Sequence, residues 1–138
     1  MIIVDTNVFS ELMRPAPARQ VVEWIERLPR TAFAITTITV AEVLVGIELL
    51  PHGNRTQLLM VAERLFAEHF QGHILSFDFD AARLFAGISA GRRSRGIPMG
   101  QADAQIAAIA RSNGAKLATR NTADFILCGI DVVNPWTA

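Results

Sequence analysis

The first thirteen residues, Met1-Ile2-Ile3-Val4-Asp5-Thr6-Asn7-Val8-Phe9-Ser10-Glu11-Leu12-Met13, decide how the rest of the chain is read. The apolar run of residues 1–4 is short and is cut at once by Asp5-Thr6-Asn7, residue types that cap helices and make turns. The run therefore reads as a buried strand, and Val8 to Met13 begins a helix directly behind it. A strand that feeds straight into a helix is half of a β-α-β unit, so the fold turns on whether the pattern repeats.

It repeats along the whole chain. The first helix stops at Arg14-Pro15-Ala16-Pro17, and a second, from about Ala18 to Leu28, carries Val21, Val22, Trp24, Ile25 and Leu28 at core spacing before Pro29 ends it. Phe33 to Thr36 reads as strand two. Thr37 or Thr39 can cap a third helix through Leu50, stopped by Pro51-His52-Gly53. Residues 54–70 read as another amphipathic helix, His73 to Phe77 as strand three, and Asp78 as the cap of a helix from Phe79 to about Arg92. Gly91-Arg92-Arg93-Ser94-Arg95-Gly96 reads as a basic loop. A helix from about Gln101 to Ser112, a stop at Gly114, strand four at Lys116 to Thr119 and strand five at Asp131 to Val133 complete the pattern. Strands separated by helices imply right-handed crossovers and a parallel sheet covered on both faces, so the expected fold class is α/β. Ligands of such open sheets bind beyond the carboxyl ends of the strands. Polar residues just after strands one and four therefore come first.

A length of 138 residues suits one domain over 1–138, and 51% hydrophobic with 19% charged residues excludes a disordered chain. Cys128 is the only cysteine, which rules out an internal disulfide or a cysteine-based zinc site and suits a reducing, cytoplasmic location. No leader and no 18-residue uncharged apolar run is read, so no membrane is expected. The 13 basic and 13 acidic residues cancel, which at first argues against a polyanionic ligand. Twelve of the 13 basic residues are Arg, however, and the planar guanidinium matches phosphate.

Four carboxylates stand where chemistry is expected, each with a plainer alternative. Asp5 ends strand one, where it could equally cap the next helix. Glu42 lies on a helical stripe with Ile38, Val45 and Leu49 that would turn it inward among apolar side chains, unless it is solvated at the edge or paired with an Arg. Asp103 opens a helix dominated by Ala and Ile, where a first-turn acid also complements the helix dipole. Asp124 follows strand four in Thr119-Arg120-Asn121-Thr122-Ala123-Asp124-Phe125, as ligand or as turn residue. Three or four such acids at one sheet edge repel one another unless a hard divalent cation neutralises them, and oxygen-only ligands favour Mg²⁺ or Mn²⁺ over zinc. Such a centre suits phosphodiester cleavage by activated water.

The segments Ile3-Val4-Asp5-Thr6-Asn7-Val8-Phe9-Ser10-Glu11-Leu12, Thr39-Val40-Ala41-Glu42, Asp103-Ala104-Gln105-Ile106-Ala107-Ala108 and Leu117-Ala118-Thr119-Arg120-Asn121-Thr122-Ala123-Asp124-Phe125, then Asn134-Pro135-Trp136, resemble the PIN domain, and more narrowly the VapC and FitB type of toxin ribonuclease. The resemblance covers essentially the whole chain in the right order. It implies a three-layer α/β/α fold around a parallel sheet of about five strands and a Mg²⁺- or Mn²⁺-dependent endoribonuclease. It also implies a homodimer and inhibition by a cognate VapB-like antitoxin, with operator DNA reached only through that antitoxin. By the same resemblance Asp5, Glu42 and Asp103 are metal ligands and Thr6 supports the site. After strand four the family carries an acid at one of two places, occupied here by Asn121 and Asp124, so the fourth ligand is expected at Asp124 with Asn121 as the alternative.

With Asp5, Glu42 and Asp103 committed to a metal, 10 acids face 13 bases, a balance that suits RNA. Arg92, Arg93 and Arg95 could hold backbone phosphates, or could simply form a solvated basic loop. The apolar segments between residues 43 and 66 are mostly core and could also line a groove for the antitoxin. A nuclease-dead PIN module is the competing reading, motivated by Asn121 standing where an acid is expected. A phosphatase-like reading fails for want of a Gly-rich phosphate loop and of a DxD motif after strand one.

Overall fold

In the computed structural model, which describes residues 1–138, strand β1 (Ile2–Val4) is the centre of a five-stranded sheet. On one side it pairs with β2 (Phe33–Thr36), which pairs with β3 (Ile74–Leu75). On the other it pairs with β4 (Lys116–Ala118), which pairs with β5 (Val132–Val133). All four pairings are parallel, in the order β3-β2-β1-β4-β5. The chain winds outward from β1 to β3 and then crosses to the other side of β1 to lay down β4. Winding therefore reverses between β1 and β4, and the carboxyl ends of those two strands flank the crevice where open sheets of this kind bind ligands.

Alternation along the central strands feeds two cores. Ile3, Ala34 and Leu117 point to one face and pack with Ile88 of α5 (Phe79–Ser94) and with Ile106 and Ile109 of α6 (Gln101–Ser112). Val4, Ile35 and Ala118 point to the other and meet Val8 and Phe9 of α1 (Thr6–Leu12) and Val21 of α2 (Arg19–Glu26). Val43 and Ile47 of α3 (Thr37–Glu48) and Ala62 of α4 (His52–Arg64) complete that side. Two helices cover one face and four the other, the expected three layers. Burying each large aliphatic side chain contributes roughly 1.5–3 kcal/mol, which is what seats the strand ends rigidly enough to carry a site.

Several boundaries differ from the sequence expectation. Strand three is laddered only at Ile74 and Leu75. The helix expected over residues 54–70 starts at His52 and ends at Arg64, and a π-helical turn over Leu65–His69 brings Phe66 and Phe70 onto the ring of Phe9, with centroids 5.2 and 5.8 Å away. Thr36, not Thr37 or Thr39, caps α3, its hydroxyl accepting from the Thr39 N–H at 3.1 Å. The expected basic loop is the end of α5, which runs on to Ser94. Gly96, at φ +76°, terminates that helix, with its own N–H bonded to Arg93 O and the Ile97 N–H to Arg92 O, a Schellman motif that the intervening arginines complement electrostatically.

Candidate functional site

At the end of β1 the Asp5 N–H donates to Ala118 O at 2.9 Å, so the ladder holds one residue beyond the strand before α1 begins. The Asp5 carboxylate is 4% exposed. One oxygen accepts from the Thr6 N–H at 2.8 Å; the other accepts from the Thr119 hydroxyl at 2.7 Å and from Asn7 Nδ2 at 3.2 Å. Asp5 is thus both the cap of α1 and a buried acid at the crevice. Burial raises its pKa, against the lowering effect of the Thr119 and Thr6 hydrogen bonds, and the charge of Glu42 raises it further.

Thr119 is the hub of this arrangement. Its hydroxyl also accepts from Asn7 Nδ2 at 3.0 Å and from the Asn121 N–H at 3.1 Å, which uses its one donor and both acceptor sites. Asn7 in turn accepts from the Arg120 N–H at 3.0 Å, so the segments after β1 and β4 are laced together. The sequence reading did not single out Thr119 or Asn7. The available signal was their position, polar residues within three positions of the carboxyl ends of two strands that become neighbours.

Glu42 departs from the inward stripe expected for it. The buried stripe of α3 is Thr39, Val43 and Ile47, whereas Val45 and Leu49 are 58% and 81% exposed, so the face is displaced by about one residue. Glu42 is exposed and extends over the carboxyl end of the sheet, where its Oε1 accepts from the Thr6 hydroxyl at 2.7 Å. Thr6 Oγ1 also lies 3.0 Å from Thr39 Oγ1, which ties α1 to α3 at this point.

Asp103 sits half-buried in the first turn of α6, and no ion pair of the chain includes it. Its pKa is pushed up to about 6, first by removal from water and then by the charges of Asp5, Asp124 and Glu42, with Arg92 opposing. Three acids from three separate segments therefore act on the Asp103 carboxyl. Asp124 is exposed on a single 3₁₀ turn, Thr122–Phe125, whose first residue follows Asn121. Asn121, also exposed, engages the hub through its backbone N–H, and its side chain makes no bond to the chain.

The donor set is all oxygen, is too negative for its surroundings and includes an unpaired half-buried carboxyl, which is the chemistry a hard divalent cation satisfies. The side chains as placed do not bring three acids together in a cage around one point. Mg²⁺ does not require one, since it keeps several waters and takes one or two carboxylates together with substrate oxygens.

A family model described as PIN domain matches residues 2–126. The chain belongs to the PIN-domain family. Over their full lengths it is 41% identical to the plasmid stability protein StbB of Pseudomonas syringae pv. tomato. It is 39% identical to the VapC ribonuclease Y4jK of Sinorhizobium fredii, covering 99% of this chain and 98% of that one. It is 37% identical to toxin FitB of Neisseria gonorrhoeae, covering 99% of each. Among solved structures it is similar to that of FitAB bound to an IR36 DNA fragment, with TM-score 0.91 and 37% identity over 99% of this chain and 96% of that one.

In this PIN domain the arginines fall into distinct roles. Arg92 corrects the reading of a solvated cluster: it is 7% exposed, and its guanidinium donates to Ile97 O at 2.8 Å and Ile126 O at 2.6 Å, clamping the end of α5 to the segment after Phe125. Arg93 and Arg95 are exposed. Arg14 pairs at 3.1 Å with Glu11, whose carboxylate also accepts from the Ala18 N–H at 2.8 Å. These bonds hold Glu11 below the usual carboxylate range, the Ala18 N–H foremost. Arg120 follows the hub, its guanidinium 4.8 Å above the ring of Trp136. No helix is long and apolar enough to cross a membrane.

Proposed function

We propose that this PIN domain, acting as one unit over residues 1–138 in the cytoplasm, is a Mg²⁺- or Mn²⁺-dependent endoribonuclease and the toxin half of a type II toxin–antitoxin pair. The observation that carries the reading is the buried, hydrogen-bonded Asp5 at the point where the sheet reverses its winding, with the half-buried, unpaired Asp103 feeling its charge and those of Asp124 and Glu42. A cation bound among them would convert that repulsion into attraction. Such an ion supplies Lewis-acid stabilisation of the phosphoryl oxygens and an activated water.

The chain's own residues do the rest. Asp5, Glu42 and Asp103 are the proposed ligands, with Asp124 as the fourth. Thr119 and Asn7 fix one oxygen of Asp5, and Thr6 fixes Oε1 of Glu42 while leaving Oε2 open. Asp124 is preferred to Asn121 because its charge is felt at Asp103.

Beside Glu42 a cavity of about 320 Å³, lined by Thr6, Ser10, Met13 and Leu50, continues through Met13, Arg14, Pro15 and Leu58 into another of about 440 Å³ toward α4. This mostly apolar path ending at an acid suits an antitoxin segment that carries a basic side chain to the cleft, in an assembly built on a homodimer. Operator DNA would be engaged through the antitoxin; the similar FitAB has been solved bound to an IR36 DNA fragment.

The test is cleavage of single-stranded RNA by Asp5→Asn, Glu42→Gln and Asp103→Asn in Mg²⁺ or Mn²⁺. Each is expected to lose activity while melting cooperatively, and near-wild-type cleavage by any two would sink the assignment. The second reading, a nuclease-dead binding module, is motivated by Asn121 standing where an acid is expected. Titration calorimetry separates the two. Heat and a raised Tm at millimolar metal support the enzyme by mass action, and neither would leave the module.

A further inference from the structure

Most arginines near the acidic cleft are already committed. Arg92 gives its donors to two buried carbonyls, and Arg14 is neutralised by Glu11. Arg120 is different. Its backbone N–H is fixed to Asn7, the residue before it is the hub that holds Asp5, and its exposed side chain lies over Trp136 and joins none of the ion pairs. Trp136 is itself held. Asn134 accepts from its N–H through the side chain at 2.9 Å and from the Ala138 N–H through the backbone at 2.9 Å, and the ring packs against the core that contains Val4 and Ala118.

A carboxylate partner orients a guanidinium by cancelling its charge. An aromatic face orients it and leaves both the charge and the in-plane N–H donors free. Glu11 acts on Arg120 only at longer range, since its oxygens are occupied by Arg14 and the Ala18 N–H. A pre-oriented, uncancelled guanidinium at the rim of a cleft rich in carboxylates suits a mobile anion whose neighbouring group is to be placed in that cleft.

We propose that Arg120, seated on Trp136, binds a backbone phosphate of single-stranded RNA next to the phosphodiester presented to the acidic cleft. The inference rests on the ribonuclease reading and adds to it a positioning pair that neither holds metal nor touches the reacting atoms. Arg120 supplies the contact, and Trp136 acts only through Arg120.

The experiment uses the full chain carrying Asp103→Asn, titrated with a short single-stranded oligoribonucleotide at several salt concentrations. Arg120→Gln is expected to weaken binding about tenfold and to flatten the log–log salt slope by about 0.7, one phosphate contact. Arg120→Lys keeps the slope and loses only part of the affinity, so it serves if the Gln variant folds poorly. Trp136→Leu weakens binding severalfold with the slope unchanged, because the charge remains but is no longer held, and Trp136→Phe restores most of the loss. A purely structural role for the ring would not produce that separation of affinity from slope. An unchanged slope in Arg120→Gln, or unchanged affinity in Trp136→Leu, overturns the proposal while metal-dependent cleavage by the wild type leaves the ribonuclease reading standing. Loss of binding to a basic antitoxin peptide with RNA affinity intact assigns the pair to a protein partner and also overturns it. Absence of any RNA binding by the Asp103→Asn parent, together with no cleavage by the wild type, overturns both.

Discussion

Replacing Asp103 by Asn removes the charge that the cleft holds at greatest cost. In the folded chain Asp103 titrates at about 6, against 3.8 for an unperturbed aspartate. A carboxyl whose folded pKa is the higher binds more protons in the native state, so its contribution to stability is full below about 3.8 and is lost as pH rises to about 6. A shift of roughly two units corresponds to about 3 kcal/mol in the absence of solvent. Asp103 is only half-buried, and screening by water reduces this to about 1–1.5 kcal/mol. Asn also gives up the favourable interaction of a first-turn carboxylate with the helix dipole, about 0.5 kcal/mol. In chelator at pH 7.5 the variant is therefore expected to exceed the wild type by roughly 0.5–1 kcal/mol, about 2–5 °C in Tm. The advantage shrinks toward zero near pH 4. Paired calorimetric melts from pH 4 to 8 measure the difference, in which other titrating groups largely cancel. A variant clearly less stable than the wild type at pH 7.5, or a difference flat across the range, would refute the reasoning.

Three further outcomes are expected. Asp124→Ala weakens metal affinity in titration calorimetry with little change in Tm, because the exposed side chain makes no bond to the chain, whereas Asn121→Ala leaves metal affinity unchanged; the reverse pattern would move the fourth ligand to Asn121. Thr119→Val strips a donor from buried Asp5 and an acceptor from Asn7 and Asn121, lowering stability by about 1–3 kcal/mol in denaturant melts, and a loss below about 0.5 kcal/mol would mean that water replaces the hydroxyl. Arg92→Ala leaves the Ile97 and Ile126 carbonyls without their donor and costs about 2–4 kcal/mol, while Arg93→Gln and Arg95→Gln stay within about 0.5 kcal/mol; equal effects of all three would contradict the clamp.

What the sequence made legible was local. The buried run before Asp5 and the Gly residues bracketing Gln101–Ser112 set a strand and a helix at their observed places, because both signals lie within a few residues of the element they define. Glu42 was assigned to the wrong face because Thr39 reads as polar and yet is fully buried, its hydroxyl meeting Thr6 across the helix pair. Arg92 read as part of a loop because Gly91 and Gly96 bracket it, although only Gly96 has a helix-ending conformation. Thr119 was silent because its partners Asn7 and Asp5, on α1 and at its cap, lie 112 and 114 residues away, and no local spacing encodes a hydrogen bond between the ends of two strands.

That separation also governs when the cleft can exist. A chain emerging from the ribosome has β1 and β2 in hand after residue 36, but the strand that carries Thr119 inserts beside β1 only after some eighty further residues have been made. Until then Asp5 has no hydroxyl partner, Asp103 or Asp124 is still to come, and the edge of β1 is open. The proposed site is therefore complete only after the β1–β4 pairing has formed, a contact between segments more than a hundred residues apart.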